Sequence, residues 1–296
     1  MKTRILILFY FICALIGGIA CSTAEEVSAK NTSYKFIEVG ETPVKTGKYF
    51  LKYSIKNGSE SVYISKARNG TYKKTPFTRW LCSNGKQVYY AENEKEGSYL
   101  CKYILFSGKK TKVKRLGSGE EIQWFISAAY KSNIYITKSD PIRLYREDTY
   151  MYNIKKKNFT VLKKNCAIAD SHGKYAISRD AFRSDISPYP VSLWKLTSSG
   201  MKKIKRIVKW GAIPSGSTVF IKNKVYYADY LSADNVKKAI LYQCDVKGSD
   251  KKKIATLETS DPNGVFIQNV TAKDCIVSMG GEEYRYIYES GEMKKV

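Results

Sequence analysis

From residue 34 onward, one pattern recurs six times along this 296-residue chain. Each copy begins at a small turn residue and continues into an apolar run that is typical of a β-strand. The runs contain the anchor residues Tyr49, Val88, Ile134, Tyr175, Val225 and Cys275, with successive spacings of 39, 46, 41, 50 and 50 residues. Periods of this size indicate stacked repeats, in which each unit buries a face against its neighbours.

A second pattern follows each anchor and is rich in lysine. It consists of a short apolar strand, a turn residue and a basic strand. The turn residues are Gly70, Gly108, Asn158, Gly200, Gly248 and Gly291. Glycine and asparagine both tolerate the positive φ that tight turns demand. The pattern therefore predicts a hairpin in every repeat.

A further apolar run precedes each anchor, which gives every repeat about four strands in about 45 residues. These runs span 34–39, 77–82, 122–128, 166–169, 218–221 and 264–270. A single four-stranded sheet cannot bury both faces by itself, whereas a ring of such sheets can. We predict an all-β fold, a six-bladed β-propeller of four-stranded antiparallel blades over residues 34–296. A β-sandwich is the alternative.

The strand motifs resemble those of a known group of propellers. Val225-Tyr226-Tyr227, then Leu241-Tyr242, then Gly248 and a lysine-rich strand show the pattern most clearly. It is similar to six-bladed propellers of the TolB and low-density-lipoprotein-receptor types. It looks closest to exported propellers of unknown function from low-GC Gram-positive bacteria. The resemblance covers residues 34–296 and implies an architecture but no active site.

The N-terminus predicts export. Lys2 and Arg4 precede an unbroken apolar run at 5–20. That run has the length of a signal-peptide core and is short for a bilayer span. We therefore assign residues 1–20 as a signal peptide.

The segment after the apolar run predicts a membrane anchor. Gly18-Ile19-Ala20-Cys21 resembles a bacterial lipobox, in which Cys21 is lipidated and begins the mature chain. Ordinary cleavage after residues 22–24, Ser-Thr-Ala, is the alternative. Residues 21–33 then form a lipid-anchored polar tether. We expect the protein at the outer face of the cytoplasmic membrane or the cell surface, or alternatively secreted.

Five cysteines follow the tether, and they are predicted to be free. They are Cys82, Cys101, Cys166, Cys244 and Cys275. An odd, scattered set without C-x-x-C favours neither a disulfide framework nor a zinc site. In a four-stranded blade, Cys82 falls on the first strand and Cys101 on the third. Those strands lie about 9.5 Å apart, which is beyond disulfide reach. We expect no metal and no cofactor.

Positive charge is concentrated in the last strand of each repeat. The chain carries a formal charge of +24. The ranges 71–76, 109–116, 155–164, 201–209, 249–257 and 292–296 contain 22 of the 51 Lys and Arg residues but only two acidic residues. Lysines on outer edge strands prevent edge-to-edge aggregation. A basic belt that grips anionic wall polymers or lipid headgroups is the functional alternative.

The sequence contains no catalytic signature. Its one histidine, His172, lies in a predicted turn, and the nucleophile elbow, zinc-protease, Walker A and dinucleotide motifs are all missing. We therefore predict a non-catalytic surface binding or scaffold protein. A carbohydrate-active enzyme with two carboxylates on the loop face is the alternative. Nucleic acid is not expected as a partner.

Three long loops between second and third strands predict the ligand site. They span 138–148, 179–190 and 229–238 in three consecutive repeats. Aromatic and charged side chains there suit a sugar or peptide ligand. The candidate ligand-binding residues are Arg143, Tyr145, Arg183, Asp185, Tyr189, Asp229 and Tyr230. The expected partner is a cell-wall polymer, a glycan or a surface protein, with membrane contact through the lipid anchor only. We expect a monomer.

Overall fold

The computed structural model describes residues 33–56, 59–118, 122–140, 146–179, 189–211, 218–230, 237–261 and 264–296. The regular elements in these ranges are β-strands. They are β1 (Lys35–Glu38), β2 (Val44–Thr46), β3 (Tyr49–Lys56), β4 (Ser59–Ser65), β5 (Lys73–Lys74), β6 (Trp80–Ser83), β7 (Gln87–Glu94), β8 (Gly97–Ile104), β9 (Lys110–Gly117), β10 (Gln123–Tyr130), β11 (Asn133–Asp140), β12 (Arg146–Asn153), β13 (Asn158–Lys163), β14 (Ala167–His172), β15 (Tyr175–Arg179), β16 (Tyr189–Thr197), β17 (Gly200–Gly211), β18 (Thr218–Ile221), β19 (Lys224–Tyr230), β20 (Lys238–Asp245), β21 (Lys252–Glu258), β22 (Val265–Gln268), β23 (Asp274–Met279), β24 (Glu282–Ile287) and β25 (Met293–Lys295).

The strands from β2 onward form six antiparallel sheets, each of four consecutive strands. We number them sheet 1 (β2–β5), sheet 2 (β6–β9), sheet 3 (β10–β13), sheet 4 (β14–β17), sheet 5 (β18–β21) and sheet 6 (β22–β25). A single pair, Gly211 with Asp229, connects sheets 4 and 5. The predicted all-β organisation in six four-stranded antiparallel sheets is confirmed. All six anchor residues lie on second strands, and the lysine-rich segments overlap the fourth strands, which are edge strands in most sheets.

The first strand of the chain contradicts the prediction that 34–39 opens sheet 1. Instead, β1 pairs antiparallel with β6 of sheet 2, with Phe36 opposite Cys82. The first strand of sheet 1 is the short β2. Burial explains the difference, because Tyr34 and Phe36 contribute to the core between sheets 2 and 3. The short β2, Val-Lys-Thr, has too little apolar pattern to identify it as a strand from sequence.

The turn of sheet 3 also differs in register from the prediction. Asn158 is the first residue of β13, and the residue with left-handed backbone is Lys157, at φ 52°. The sequence pattern placed the turn at asparagine because asparagine tolerates positive φ better than lysine does. A lysine therefore adopts a conformation that the sequence alone would assign to its neighbour.

Five hydrophobic clusters hold consecutive sheets together. Leu51 and Leu81 belong to the cluster between sheets 1 and 2. The other four join sheets 2 and 3, 3 and 4, 4 and 5, and 5 and 6. Among the described residues, no buried cluster joins sheet 6 to sheet 1. Each of the four middle sheets is covered on both faces, as stacked repeats require.

The sheets are aligned, so corresponding turns lie at one end of the unit. Thr46 Oγ1 donates to Ser83 Oγ at 2.7 Å, which joins the ends of β2 and β6. Asn133 Nδ2 donates to the Ser198 carbonyl at 3.1 Å, which joins turns of sheets 3 and 4. We call this the turn end, where first strands meet second strands and third strands meet fourth. The opposite end, where second strands meet third strands, is the loop end.

The five cysteines are free and buried, as predicted. Cys82 lies on β6 and Cys101 on β8, which are the first and third strands of sheet 2. Burial raises the pKa of Cys101 and Cys275 to about 12 and that of Cys244 to about 11. Few of these thiols are ionised near neutral pH, and only a thiolate attacks a disulfide reagent.

We therefore expect the folded protein to react slowly with Ellman's reagent at pH 8, and all five buried thiols to react rapidly once guanidinium unfolds the chain. A Ser107→Cys variant provides the control, since Ser107 lies in an exposed turn. Fast reaction of the buried cysteines in the folded protein, at the rate of the introduced cysteine, would contradict this prediction.

Candidate functional site

Most of the predicted ligand residues cannot be located in the described part of the chain. Cys21, Arg143, Tyr145, Arg183 and Asp185 lie outside the described residues. Tyr189 is described only through its backbone, as the first residue of β16, where it pairs with Gly211. Their roles in lipidation and ligand binding stay predictions.

The two remaining candidates, Asp229 and Tyr230, lie at the loop end of β19. Tyr230 is only 1% exposed. Its ring packs in the core between sheets 5 and 6, and its hydroxyl accepts a hydrogen bond from the Ile267 amide at 3.1 Å. These contacts place Tyr230 in the hydrophobic core, where a ligand at the surface cannot reach its ring. Asp229 is half-buried, and this burial raises the pKa of its carboxyl group, while Lys251 acts in the opposite direction.

Buried acidic residues lie at the base of one of the predicted loops, 138–148. Asp140, Glu147 and Asp148 are each at most 7% exposed at the loop end of sheet 3. Arg179 of sheet 4 binds Glu147 with both ends of its guanidinium, Nε to Oε2 at 2.9 Å and Nη2 to Oε1 at 2.8 Å. Because both carboxylate oxygens are occupied, this pair connects two sheets rather than offering a free acid.

A partly exposed aromatic pair lies at the loop end of the first strands. Trp80 is the first residue of β6 and is 38% exposed. Its ring lies 5.5 Å from the ring of Phe125 on β10, at an angle of 46°. The next three residues of β6 are buried, so Trp80 is the exposed residue of this strand. The two rings together present an aromatic surface at the junction of sheets 2 and 3.

A charged pair adjoins this aromatic surface. Arg79 Nη2 lies 3.0 Å from Glu38 Oε1. The Arg79 guanidinium also lies over the rings of Tyr53, at 5.2 Å, and Trp80, at 5.9 Å. Its Nε is buried and has no hydrogen-bond partner among the described residues. We refer to Glu38, Tyr53, Arg79, Trp80 and Phe125 as the Arg79–Trp80 cluster.

The sequence alone does not reveal this cluster, because the cluster depends on the pairing of β1 with β6. Glu38 lies opposite Trp80 in the β1–β6 register, and the Val39 amide donates to the Arg79 carbonyl at 2.9 Å. Without that pairing, Glu38 and Arg79 are separated by a complete sheet. The one available signal was the Arg-Trp pair within the otherwise largely apolar run 77–82, where a buried strand would carry aliphatic residues.

Other titratable groups in the interior have structural partners. Burial raises the pKa of the Asp170 carboxyl group, although the amides of Ser171 and Phe220 donate to its two oxygens at 2.7 and 2.8 Å. His172 is exposed at the end of β14. The described ranges contain no cluster of three or more potential metal ligands. They also contain no helix with the length and hydrophobicity needed to cross a bilayer.

The comparisons with known proteins bear on the fold. The sequence matches no protein-family model and no curated protein. An oligogalacturonate lyase solved with manganese superimposes with a TM-score of 0.50 at 8% identity, covering 90% of this chain and 79% of that one. The β-propeller domain of the trilobed protease from Pyrococcus furiosus gives 0.44 at 11%, covering 86% and 81%. TolB from Acinetobacter baumannii gives 0.41 at 10%, covering 88% and 62%.

These structural neighbours include β-propeller proteins. At such low identities, the likeness concerns the fold alone and assigns no residue of this chain to a function. The chain is thus an all-β repeat protein of six four-stranded antiparallel sheets, with an aromatic and charged cluster at its loop end.

Proposed function

We propose that this chain is an exported, non-catalytic binding protein whose six sheets form a six-bladed β-propeller and whose loop end binds a glycan. The repeated meander, the alignment of the sheets and the propeller neighbours support the architecture. The signal-peptide pattern and the lipobox at Cys21 support an anchored protein on the outer side of the membrane. The proposal covers free glycans and wall polymers alike, since both offer the same sugar faces.

The Arg79–Trp80 cluster is the observation that supports a glycan ligand. A pyranose ring has an apolar face of C–H groups, which packs against the electron-rich face of an aromatic ring. Trp80 and Phe125 provide such a face at the surface. The adjacent Glu38 and the exposed end of the Arg79 guanidinium offer an acceptor and donors for sugar hydroxyls. Aromatic surface beside a few polar groups is the usual composition of a ligand site.

An enzymatic role has less support from the described residues. Glycoside cleavage requires one carboxyl group that can donate a proton and a second that acts as base or nucleophile. The buried Glu147 is bound by Arg179 through both oxygens, and both oxygens of Asp170 accept backbone hydrogen bonds. These two carboxylates are held as structural acceptors, so we favour binding over catalysis.

The test measures binding of soluble peptidoglycan glycan strands and a panel of neutral and acidic oligosaccharides by calorimetry. We expect Trp80→Ala to weaken binding at least about tenfold, because it removes the stacking surface. Arg79→Gln should weaken it as well, through lost hydrogen bonds.

The control for this test is Phe106→Ala, which removes an exposed aromatic ring at the turn end. It should bind the same oligosaccharides as the parent protein does. If Trp80→Ala binds with unchanged affinity, or if the panel contains no ligand for the parent protein, the glycan proposal is wrong.

A further inference from the structure

Six lysines lie at the turn end, one in each turn between a first and a second strand. They are Lys48, Lys86, Lys131, Lys174, Lys222 and Lys273. All six are exposed, and these six turns contain no acidic residue. The corresponding turns between third and fourth strands add eight more Lys and Arg residues and three acidic residues. The turn end therefore has a large positive excess.

In two of these turns, lysine occupies a backbone position that favours glycine. Each of the six turns has one residue with left-handed φ, which is glycine in sheets 1, 2 and 4 and asparagine in sheet 6. In sheets 3 and 5 this residue is lysine, with Lys131 at φ 54° and Lys222 at φ 56°. A lysine is less stable than glycine in that conformation. The side chain that causes this loss adds a positive charge to the surface.

The described part of the loop end lacks such an excess. Its described connections contain four basic residues, Arg79, Lys95, Lys164 and Lys237, and three acidic ones, Glu41, Glu96 and Asp261. The lysine-rich fourth strands, which run between the two ends, carry further positive charge. Among the described residues, positive charge is thus more concentrated at the turn end than at the loop end.

An exposed phenylalanine lies within the basic surface. Phe106 is 76% exposed, more than any other large hydrophobic residue described, and it lies in the second turn of sheet 2 beside Lys109. A soluble polyanion provides no apolar environment that this ring could enter. A lipid leaflet accepts both groups, because lysines attract anionic headgroups while an aromatic ring enters the boundary with the acyl chains.

Tyr34 makes its polar contacts at the turn end. The Tyr34 amide donates to the carbonyl of Lys131, and the Tyr34 hydroxyl donates to Gln87 Oε1 at 2.9 Å. Tyr34 therefore lies beside two of the lysine-bearing turns.

From these observations we propose that the turn end is a docking surface for anionic lipid headgroups, with the six turn lysines contacting phosphates and Phe106 entering the leaflet. Docking in this way directs the loop end, with the Arg79–Trp80 cluster, away from the membrane. The proposal does not depend on glycan binding or on lipidation of Cys21.

The test is flotation of the full chain with vesicles of phosphatidylcholine, either pure or with a one-third share of phosphatidylglycerol. All proteins carry Cys21→Ser, so that no acyl group contributes. The basic-surface variant combines Lys48→Gln, Lys131→Gly, Lys174→Gln and Lys222→Gly. Because a lysine near an anionic leaflet adds several-fold to affinity, we expect binding to phosphatidylglycerol vesicles to weaken about a hundredfold. Its thermal stability should be unchanged or higher, since two strained turns regain glycine.

The matched control is Lys95→Gln, Lys114→Gln, Lys163→Gln and Lys164→Gln, which removes the same charge from exposed positions away from the turn end. It should retain most of the vesicle binding. Phe106→Ser should weaken binding to vesicles but leave binding to soluble polyphosphate unchanged.

Two results would overturn the proposal. One is equal loss of vesicle binding in the basic-surface variant and its control, which would mean that net charge alone matters. The other is unchanged vesicle binding by Phe106→Ser together with strong polyphosphate binding that the basic-surface variant loses, which would identify a soluble polyanion as the partner.

Discussion

Arg179→Ala is expected to destabilise the folded protein by about 3 kcal/mol, because it leaves the carboxylate of Glu147 buried without a cationic partner. The Glu147 side chain is 7% exposed, so water cannot replace the guanidinium fully. The Arg179 side chain is 36% exposed, which places the effect toward the lower end of the range for buried pairs. Denaturant unfolding, followed by tryptophan fluorescence, measures the change.

The double variant Arg179→Ala/Glu147→Gln is the control for that prediction. Glutamine keeps the shape of Glu147 but removes the charge, so the double variant should recover part of the lost stability. If the single and double variants are equally unstable, the loss comes from packing of the arginine side chain rather than from an unpaired carboxylate.

Gly47→Ala is expected to destabilise the protein by about 3 to 5 kcal/mol, since two costs of different origin add. Gly47 has φ +58°, which alanine adopts only with strain. A Cβ there would also lie 2.2 Å from the carbonyl oxygen of Gly85. The atoms nearest to this Cβ belong to the Gly85 backbone of sheet 2, so a side-chain rotation cannot relieve the clash.

Gly173→Ala separates the two costs. Gly173 occupies the equivalent turn of sheet 4 with φ +59°, and a Cβ there would have no neighbour within 4 Å. Only the conformational cost of about 1 to 2 kcal/mol then applies. Unfolding curves of both variants provide the comparison. Similar losses at the two positions would mean that the Gly47–Gly85 contact relaxes easily.

The sequence was sufficient for the repeat architecture because three independent signals agreed. Anchors such as Val88 and Val225 have apolar neighbours, turn residues such as Gly108 and Gly248 tolerate positive φ, and a lysine-rich strand follows each turn. The four-strand register was specific enough to place Cys82 and Cys101 on non-adjacent strands of one sheet. Local chemistry determines these features, so they are visible in a single sequence.

Features that depend on distant pairing could not be predicted in the same way. The pairing of β1 with β6 brings Glu38 to Arg79 across a complete sheet, and the polarity of the intervening residues does not record it. Lysine at left-handed positions, as at Lys131 and Lys157, likewise opposes the local preference. The predicted ligand residues came from loop length, which locates a region but cannot tell a surface tyrosine from the buried Tyr230.

The position of β1 also has a consequence for the order in which the chain folds. All of sheet 1 lies between β1 and its partner β6, so the first strand to be synthesised cannot pair until residue 83 is available. Closing that long loop has an entropic cost, which slows the step relative to the local hairpins. If the chain crosses a membrane N-terminus first, Phe36 and Ile37 remain exposed until sheet 2 forms. During the interval before β1 docks, these two apolar side chains are therefore accessible to chaperones and proteases and available for aggregation.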